Sequence, residues 1–316
     1  MMGTTSEAPP PGIEVVAEVV ELVYANTVPD LGAALPGTDV VLAWRARSGL
    51  LEPVWEHAGD VKWIQSGSAG VEDLLFPALV ESYVVLTNAR GVFDDAMAEY
   101  VVGLLLAFAK GLPATLERQR RREWQGRDTE RLGGNRVLVV GVGSIGRAIG
   151  RLCRALGMVV RGVGSAARPR DDVFGPIFGP DELADACSWA DVVVNALPST
   201  PATQQLFDEG VFAAMSPTAR FVNVGRGGTV DQGALVEALE QGRLAGAALD
   251  VFEAEPLPPE SPLWAMPNVI VSPHMAANFA GWREAVVELF VENLDRYLTG
   301  RPLRNVVDKE RGYVPP

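Results

Sequence analysis

Cysteine and histidine are scarce in this chain, which has two of each among its 316 residues. Cys153 and Cys187 lie in apolar segments with helical periodicity, so we interpret both as small core side chains. They offer no disulfide framework, and with histidines far away in the sequence they argue against a zinc site. The chain is 48% hydrophobic, so it can bury sizeable cores, and we expect no metal ion.

Excess positive charge and long apolar runs are also missing. The net charge of −13 argues against binding to nucleic acid or an anionic membrane, although a local arginine cluster can still hold a small anion. The longest apolar stretch, residues 101–109, is too short to span a bilayer. The first twelve residues lack the regions of a signal peptide, and we expect a loose lead-in and a cytoplasmic protein.

Short apolar runs alternate with helix-compatible segments along the whole chain, which predicts parallel sheets covered on both faces by helices. The runs fall into two series. The first comprises residues 13–23, 40–44, 61–65 and 84–87, and the second comprises residues 136–140, 158–163, 192–197, 221–224, 246–251 and 269–271. Six strands in the second series are enough for a complete dinucleotide-binding sheet.

Two further helices flank the second series. A long apolar helix begins near Asp94 and is followed by the arginine-rich stretch LERQRRREWQGR. We interpret that stretch as a solvated helix with Trp124 packed inward, in preference to a nucleic-acid patch. The last helix, within residues 279–298, places Trp282, Val286, Leu289, Phe290 and Tyr297 on one face.

The segment GVGSIG supplies Gly141, Gly143 and Gly146 between a predicted strand and a predicted helix. This context is typical of a dinucleotide fingerprint with the pyrophosphate at the helix N-terminus. The next strand ends at Gly164 and Ser165 instead of the carboxylate that binds an NAD ribose. Because Arg168 and Arg170 follow, we predict NADP(H) in preference to NAD(H), with Ser165 and Arg168 as contacts; a solvated loop is the alternative.

Three polar residues follow predicted strands in the last third of the chain: Arg226, Glu255 and His274. Strand ends of an open α/β sheet meet at one crevice, so these side chains are expected to lie together. Arginine suits a planar carboxylate, and histidine can protonate an alkoxide near neutral pH. A neighbouring carboxylate stabilises the imidazolium. The set suggests hydride transfer to a 2-keto acid.

Taken in order, GVGSIG, LPSTPAT, NVGRGG, DVFEAEP and SPHMAA resemble the D-2-hydroxyacid dehydrogenases. The resemblance implies two doubly wound parallel-sheet α/β domains. These are a flavodoxin-like substrate domain at residues 1–93 and 276–316, and a Rossmann cofactor domain at residues 94–275. It also implies a homodimer through the cofactor domain and a small 2-keto or 2-hydroxy acid as substrate.

The resemblance also implies roles for single residues. Arg226 would bind the substrate carboxylate, His274 would be the acid/base and Glu255 its partner, while the amides of Ala69 and Gly70 would hold the carboxylate. The implied cofactor contacts are Gly141, Gly143, Ser144, Ile145, Gly146, Ser165, Arg168, Leu197, Pro198, Thr203, Val224, Gly225, Asp250 and Ala276. Glu72 stands where the family usually has Asp, and Trp282 either packs the last helix or lines the substrate pocket.

Within the family, a glyoxylate/hydroxypyruvate-type reductase fits the Ser165–Arg168 loop best. Formate dehydrogenases pair their histidine with glutamine, which Glu255 disfavours. Transcriptional corepressors of the same fold keep all three polar residues, so a nucleotide-gated binding protein stays open as the alternative.

Overall fold

The computed structural model describes residues 1–44 and 48–315. The chain divides into two compact units: a first unit of Met1–Phe93 with the residues from Phe279 onward, and a second unit of Asp94–Asn278. The chain therefore returns from the second unit to the first after Asn278, three residues later than the boundary at residue 275 predicted from the sequence. The reason is that the backbone amides of Met275 and Ala276 are bonded to the carboxylate of Asp250, inside the second unit.

The second unit is built on a seven-stranded parallel sheet. Its strands are β4 (Arg136–Val140), β5 (Val159–Val163), β6 (Ile177–Phe178), β7 (Val192–Asn195), β8 (Arg220–Asn223), β9 (Gly246–Leu249) and β10 (Val269–Val271). They lie in the order β10-β9-β8-β7-β4-β5-β6. The order is that of a dinucleotide-binding sheet, with the direction of succession reversing between β4 and β7, and one added edge strand. Six strands were predicted; β6 has only two residues, too few to show a periodic pattern.

The helices of the second unit are α4 (Asp94–Ala109), α5 (Leu112–Arg121), α6 (Ser144–Ala155), α7 (Leu183–Trp189), α8 (Glu209–Ala214) and α9 (Gln232–Glu240), with short 3-10 helices at Pro180–Glu182, Gly227–Thr229 and Pro262–Trp264. All but α5 bury residues. Cys153 and Cys187 are buried as predicted, and burial raises the pKa of each thiol to about 12. The prediction for Trp124 is wrong. Its side chain is fully exposed, because α5 ends at Arg121 and the chain from Glu123 onward runs along the surface.

The first unit has a three-stranded parallel sheet, β1 (Val40–Ala43), β2 (Trp63–Ser66) and β3 (Val85–Thr87), in that order. Its helices are α1 (Val28–Ala34), α2 (Ser48–Leu51), α3 (Pro77–Glu81) and α10 (Trp282–Leu298), with 3-10 helices at Ile13–Glu18, Glu52–His57 and Glu72–Leu74. The predicted strand at 13–23 is wrong. Its apolar residues recur at helical spacing, so that Ile13 and Val16 are buried while Val15 and Val19 are exposed.

The N-terminal residues are not the loose lead-in that the sequence suggests. Met2 is completely buried and forms parallel bridges with Ala25 and Ala43, extending the small sheet beyond β1. On α10, Trp282 stacks on Trp44 at 6.0 Å between ring centroids, so it packs within the first unit. In the described ranges no single helix has the length and apolar character to cross a bilayer. The bent pair α4 and α5 meets that test by length and composition only.

Candidate active site

His274 and Glu255 form a direct pair beyond the carboxyl ends of β9 and β10. His274 Nδ1 lies 2.7 Å from Glu255 Oε2, and the other carboxylate oxygen accepts a hydrogen bond from Phe252 N at 3.0 Å. His274 has a positive φ of 49°, a conformation rarely adopted by side-chain-bearing residues. Its backbone N–H donates to Asp250 O at 2.8 Å, which helps to hold the imidazole in this turn.

The pair shifts both pKa values towards the charged forms. The hydrogen bond that His274 donates to Glu255 raises the pKa of His274, against the opposing effects of burial and of the positive charge of Arg226. Burial alone would raise the pKa of Glu255, but hydrogen bonds from His274 and Phe252 N and the charges of His274 and Arg226 together hold it below its usual value. The protonated form of His274 is therefore favoured, and the charge of Arg226 acts on it electrostatically.

Asp250 holds the segment that carries His274. This aspartate is 2% exposed; its Oδ1 accepts bonds from Ser272 Oγ at 2.7 Å and Met275 N at 2.9 Å, and its Oδ2 accepts one from Ala276 N at 2.8 Å. Asp250 and Ala276 were assigned to the cofactor from the resemblance. In the structure their polar groups bond to each other, within the segment that carries His274.

Arg226 lies three residues after the end of β8 and is half-buried. Its Nη1 donates to Gly225 O at 2.9 Å, and its own backbone carbonyl accepts bonds from Thr229 Oγ1 at 2.6 Å and Asn223 Nδ2 at 3.3 Å. Asn223, Thr229 and Asn195 were not predicted as site residues from the sequence. The available signal was that β7 and β8 both end in asparagine, whereas buried strands are normally apolar throughout.

The three fingerprint glycines differ in the space that surrounds them. Gly141 has a φ of 101°, and a Cβ there would lie 2.7 Å from Ala196 O. A Cβ on Gly146 would lie 1.9 Å from Gly141 O, which shows how closely α6 approaches the turn. A Cβ on Gly143 would meet nothing within 4 Å, so space is open at the N-terminus of α6, beside Ser144 and Ile145. This arrangement fits a dinucleotide pyrophosphate.

The loop after β5 exposes Ser165 and Arg168. Arg168 exchanges two backbone hydrogen bonds of 2.9 Å with Ile177, so its position along the loop is held. No acidic residue occurs in the loop before Asp171. That carboxylate accepts bonds from Val173 N at 2.9 Å and from Arg147 Nη1 at 2.9 Å, which neutralises its charge.

The remaining predicted cofactor contacts lie after β7 and β8. Thr203 Oγ1 donates to Pro198 O at 2.7 Å and closes the loop between them, while Leu197 is half-buried at its start. Val224 is buried and donates its N–H to Asn195 O at 3.1 Å, which leaves its backbone next to Gly225 at the strand end. The structure therefore places these residues along the same edge of the sheet as the fingerprint.

Ala69 and Gly70 belong to a half-buried loop of the first unit, after β2. Asn88 Nδ2 donates to Ala69 O at 2.6 Å, and Ala89 N donates to Ser68 O at 3.0 Å. Because the N–H of a trans peptide points opposite to its carbonyl, the N–H groups of Ala69 and Gly70 point away from residues 88 and 89. They form a pair of donors suited to an anion.

Comparison with known proteins decides the family. The model of the D-isomer specific 2-hydroxyacid dehydrogenase, NAD binding domain, matches residues 102–276, more than half of the chain. The chain belongs to this family. As a D-2-hydroxyacid dehydrogenase it is an oxidoreductase that uses a nicotinamide cofactor, and the predicted α/β fold class is confirmed.

Three relatives illustrate the range of this D-2-hydroxyacid dehydrogenase family. The enzyme is 32% identical over 76% of its length to a hydroxyphenylpyruvate reductase of Plectranthus scutellarioides, of which 76% is covered. It is 32% identical over 81% to a glyoxylate reductase of Thermofilum pendens, of which 78% is covered. The solved NADPH-dependent glyoxylate/hydroxypyruvate reductase of Sinorhizobium meliloti, in complex with NADP and sulfate, is 30% identical, with 95% of this chain and 96% of that chain covered and a TM-score of 0.83.

Proposed function

We propose that this dehydrogenase reduces a small 2-keto acid of the glyoxylate or hydroxypyruvate type, with NADPH as the preferred cofactor. The observation that carries the proposal is the 2.7 Å contact between His274 Nδ1 and Glu255 Oε2, within the electrostatic influence of Arg226. A cation that binds the carboxylate beside a protonated imidazole is what reduction of a 2-keto acid requires.

Three residues carry the chemistry in this proposal. Arg226 binds the substrate carboxylate, and its permanent charge polarises the adjacent carbonyl. His274, with Nδ1 held by Glu255, presents Nε2 and donates the proton that converts the carbonyl oxygen into a hydroxyl group. Glu255 orients the ring and favours its protonated form before the reaction.

The second unit fits a bound dinucleotide. Gly143 leaves open space at the N-terminus of α6 for the pyrophosphate, and Leu197, Pro198, Thr203, Val224 and Gly225 lie along the same strand ends. The nicotinamide, when bound, supplies the hydride. For the cofactor's adenosine end, exposed Ser165 and Arg168 offer a hydrogen bond and a positive charge to a 2′-phosphate. Arg147 forms an ion pair with Asp171, the next acidic residue along the chain, and compensates its charge.

We also propose a homodimer formed through the second unit. The surface segment from α5 to residue 131 carries exposed Leu112, Leu116 and the fully exposed Trp124. Arg127 and Glu130 tie this segment to the unit: Arg127 Nη2 donates to Lys110 O at 3.1 Å, and Glu130 N donates to Ala109 O at 2.9 Å. An ordered segment with exposed large apolar side chains is typical of a protein interface.

Initial rates with a panel of keto acids test the substrate proposal. Glyoxylate, hydroxypyruvate, pyruvate and phenylpyruvate are each compared with NADPH and NADH. We expect the highest kcat/KM for glyoxylate or hydroxypyruvate with NADPH. A preference for phenylpyruvate contradicts the proposed substrate class, and absence of turnover with every keto acid favours the nucleotide-gated binding protein.

Arg168→Ala tests the cofactor proposal, with Arg170→Ala as the matched control from the same exposed loop. One charge-assisted hydrogen bond contributes about 1.5 kcal/mol at the low end, so Arg168→Ala should raise the Kd of NADPH roughly tenfold. The Kd of NADH should stay unchanged, and Arg170→Ala should change neither value. Equal losses for both cofactors with Arg168→Ala would show that this arginine does not read the 2′-phosphate.

A further inference from the structure

Two adjacent strands of the second unit end in asparagines that are buried together. Asn195 is the last residue of β7, Asn223 is the last residue of β8, and the two are paired in the parallel register. Asn195, Asn223 and Thr229 are 0%, 1% and 0% exposed, and we call them the strand-end cluster. Burial of three uncharged polar side chains is unfavourable unless their hydrogen bonds are made.

The cluster makes those bonds with a defined polarity. Asn195 Nδ2 donates to Asn223 Oδ1 at 3.0 Å and to Thr229 Oγ1 at 2.7 Å. The backbone N–H of Leu197 donates to Asn195 Oδ1, and that of Gly225 donates to Asn223 Oδ1, both at 3.1 Å. Because a backbone N–H can only donate, these contacts establish which end of each side-chain amide is the oxygen.

The bonds converge on the carbonyl of Arg226. Thr229 Oγ1 accepts from Asn195 and therefore directs its own proton to Arg226 O, at 2.6 Å. Asn223 Nδ2 donates to the same oxygen at 3.3 Å. Arg226 has extended backbone torsions, with φ −139° and ψ 144°, so fixing its carbonyl also fixes the direction in which its side chain leaves the backbone.

The same cluster holds two residues assigned above to the cofactor. Its oxygens bind the N–H groups of Leu197 and Gly225, and a Cβ on Gly225 would lie 2.6 Å from Leu197 O, so the two loops touch backbone to backbone. Leu197, Gly225 and Arg226 are thus anchored by one hydrogen-bonded cluster.

We propose that Asn195, Asn223 and Thr229 are positioning residues that orient Arg226 against the cofactor-side loops and thereby set the affinity for the keto-acid carboxylate. The inference rests on the proposed function, in which Arg226 binds that carboxylate. The cluster acts through Arg226 and does not touch the substrate. A misplacement of about 1 Å at a reacting or binding group costs up to roughly a hundredfold in rate.

Thr229→Val tests the proposal, because it keeps the side-chain shape and removes the hydroxyl. Thr229→Ser restores the hydroxyl, and Thr4→Val is the matched control: Thr4 is 7% exposed and its Oγ1 donates to Ala8 O at 2.7 Å in the first unit. The measurements are kcat and KM for the best keto acid of the panel, the Kd of NADPH, and unfolding in urea. We expect Thr229→Val to raise KM about tenfold, with the Kd of NADPH within about twofold and Thr229→Ser close to the wild type. Thr4→Val should lower stability without changing KM.

The Arg226→Ala background separates positioning from a general structural effect. There, Thr229→Val should cause no further loss of kcat/KM, measured at high enzyme concentration, because the group on which it acts is gone. The proposal is overturned if folded Thr229→Val has normal kcat and KM, or if it causes the same loss with and without Arg226. If Thr229→Val does not fold, Thr229→Ala is measured against the same expectations. If Arg226→Ala alone leaves KM and kcat unchanged, the proposed function fails instead.

Discussion

Adding one methyl group should have different consequences at two fingerprint glycines: at Gly146 it should lower stability, and at Gly143 it should weaken cofactor binding. In Gly146→Ala the new Cβ would lie 1.9 Å from Gly141 O, 3.0 Å from Gly141 C and 3.2 Å from a methyl group of Val139. Relief of this overlap requires α6 to retreat by about 1.5–2 Å from the sheet, since non-bonded atoms prefer about 3.5–4.0 Å. In Gly143→Ala the Cβ meets no atom within 4 Å, and φ is −72°, which alanine adopts freely.

The magnitudes follow from what α6 buries. Ile149 and Cys153 on this helix are 0% exposed, so its retreat would open the core, and overpacking of this kind typically costs about 1–3 kcal/mol of unfolding free energy. Gly143→Ala should change the unfolding free energy by only about 0.5 kcal/mol. Its methyl group, however, occupies the open space at the helix N-terminus, so the Kd of NADPH should rise at least about tenfold.

Urea unfolding and a fluorescence titration with NADPH measure the two effects on the same preparations. Gly59→Ala is the control, because its Cβ also meets nothing within 4 Å and it lies in the first unit. It should leave both quantities unchanged. Tight NADPH binding by Gly143→Ala would refute the assignment of the open space to the pyrophosphate. Normal stability of Gly146→Ala would refute the steric reasoning.

Two further predictions concern the polar residues at the strand ends. Reduction needs protonated His274, and Glu255 raises the pKa of this histidine, so kcat/KM should decrease as the pH rises through that pKa. Glu255→Gln should shift this decrease to lower pH. Glu253→Gln, an exposed carboxylate in the same loop, is the control, and an unchanged profile for Glu255→Gln would contradict the pairing. Arg226→Lys should keep the charge but lose the planar fork, so its KM for keto acids should rise, although less than in Arg226→Ala; a fully active lysine variant would show that bidentate recognition is unnecessary.

Patterns that are local in the sequence predicted the framework of the enzyme. Strand and helix alternation located β4, β5 and β7 to β10, because burial on both faces of a parallel strand leaves a continuous apolar run. The glycine spacing and the polar residues just after the strands pointed to the fingerprint and to Arg226, Glu255 and His274. These signals are readable because each depends on a few neighbouring residues and on the rule that parallel strands present their carboxyl ends on one edge.

Hydrogen-bond partners of buried polar groups depend instead on which strands become neighbours, and in what register. Asn195 and Asn223 are 28 residues apart in the sequence and meet only because β7 pairs with β8. Asp250 reaches the amides after β10 for the same reason, and Met2 is buried because it pairs with residues far along the chain. The sequence by itself determined the fold class and the chemical groups. Tertiary structure alone decided which of those groups are hydrogen-bonded and to which partners, because these bonds join residues that are distant in the sequence.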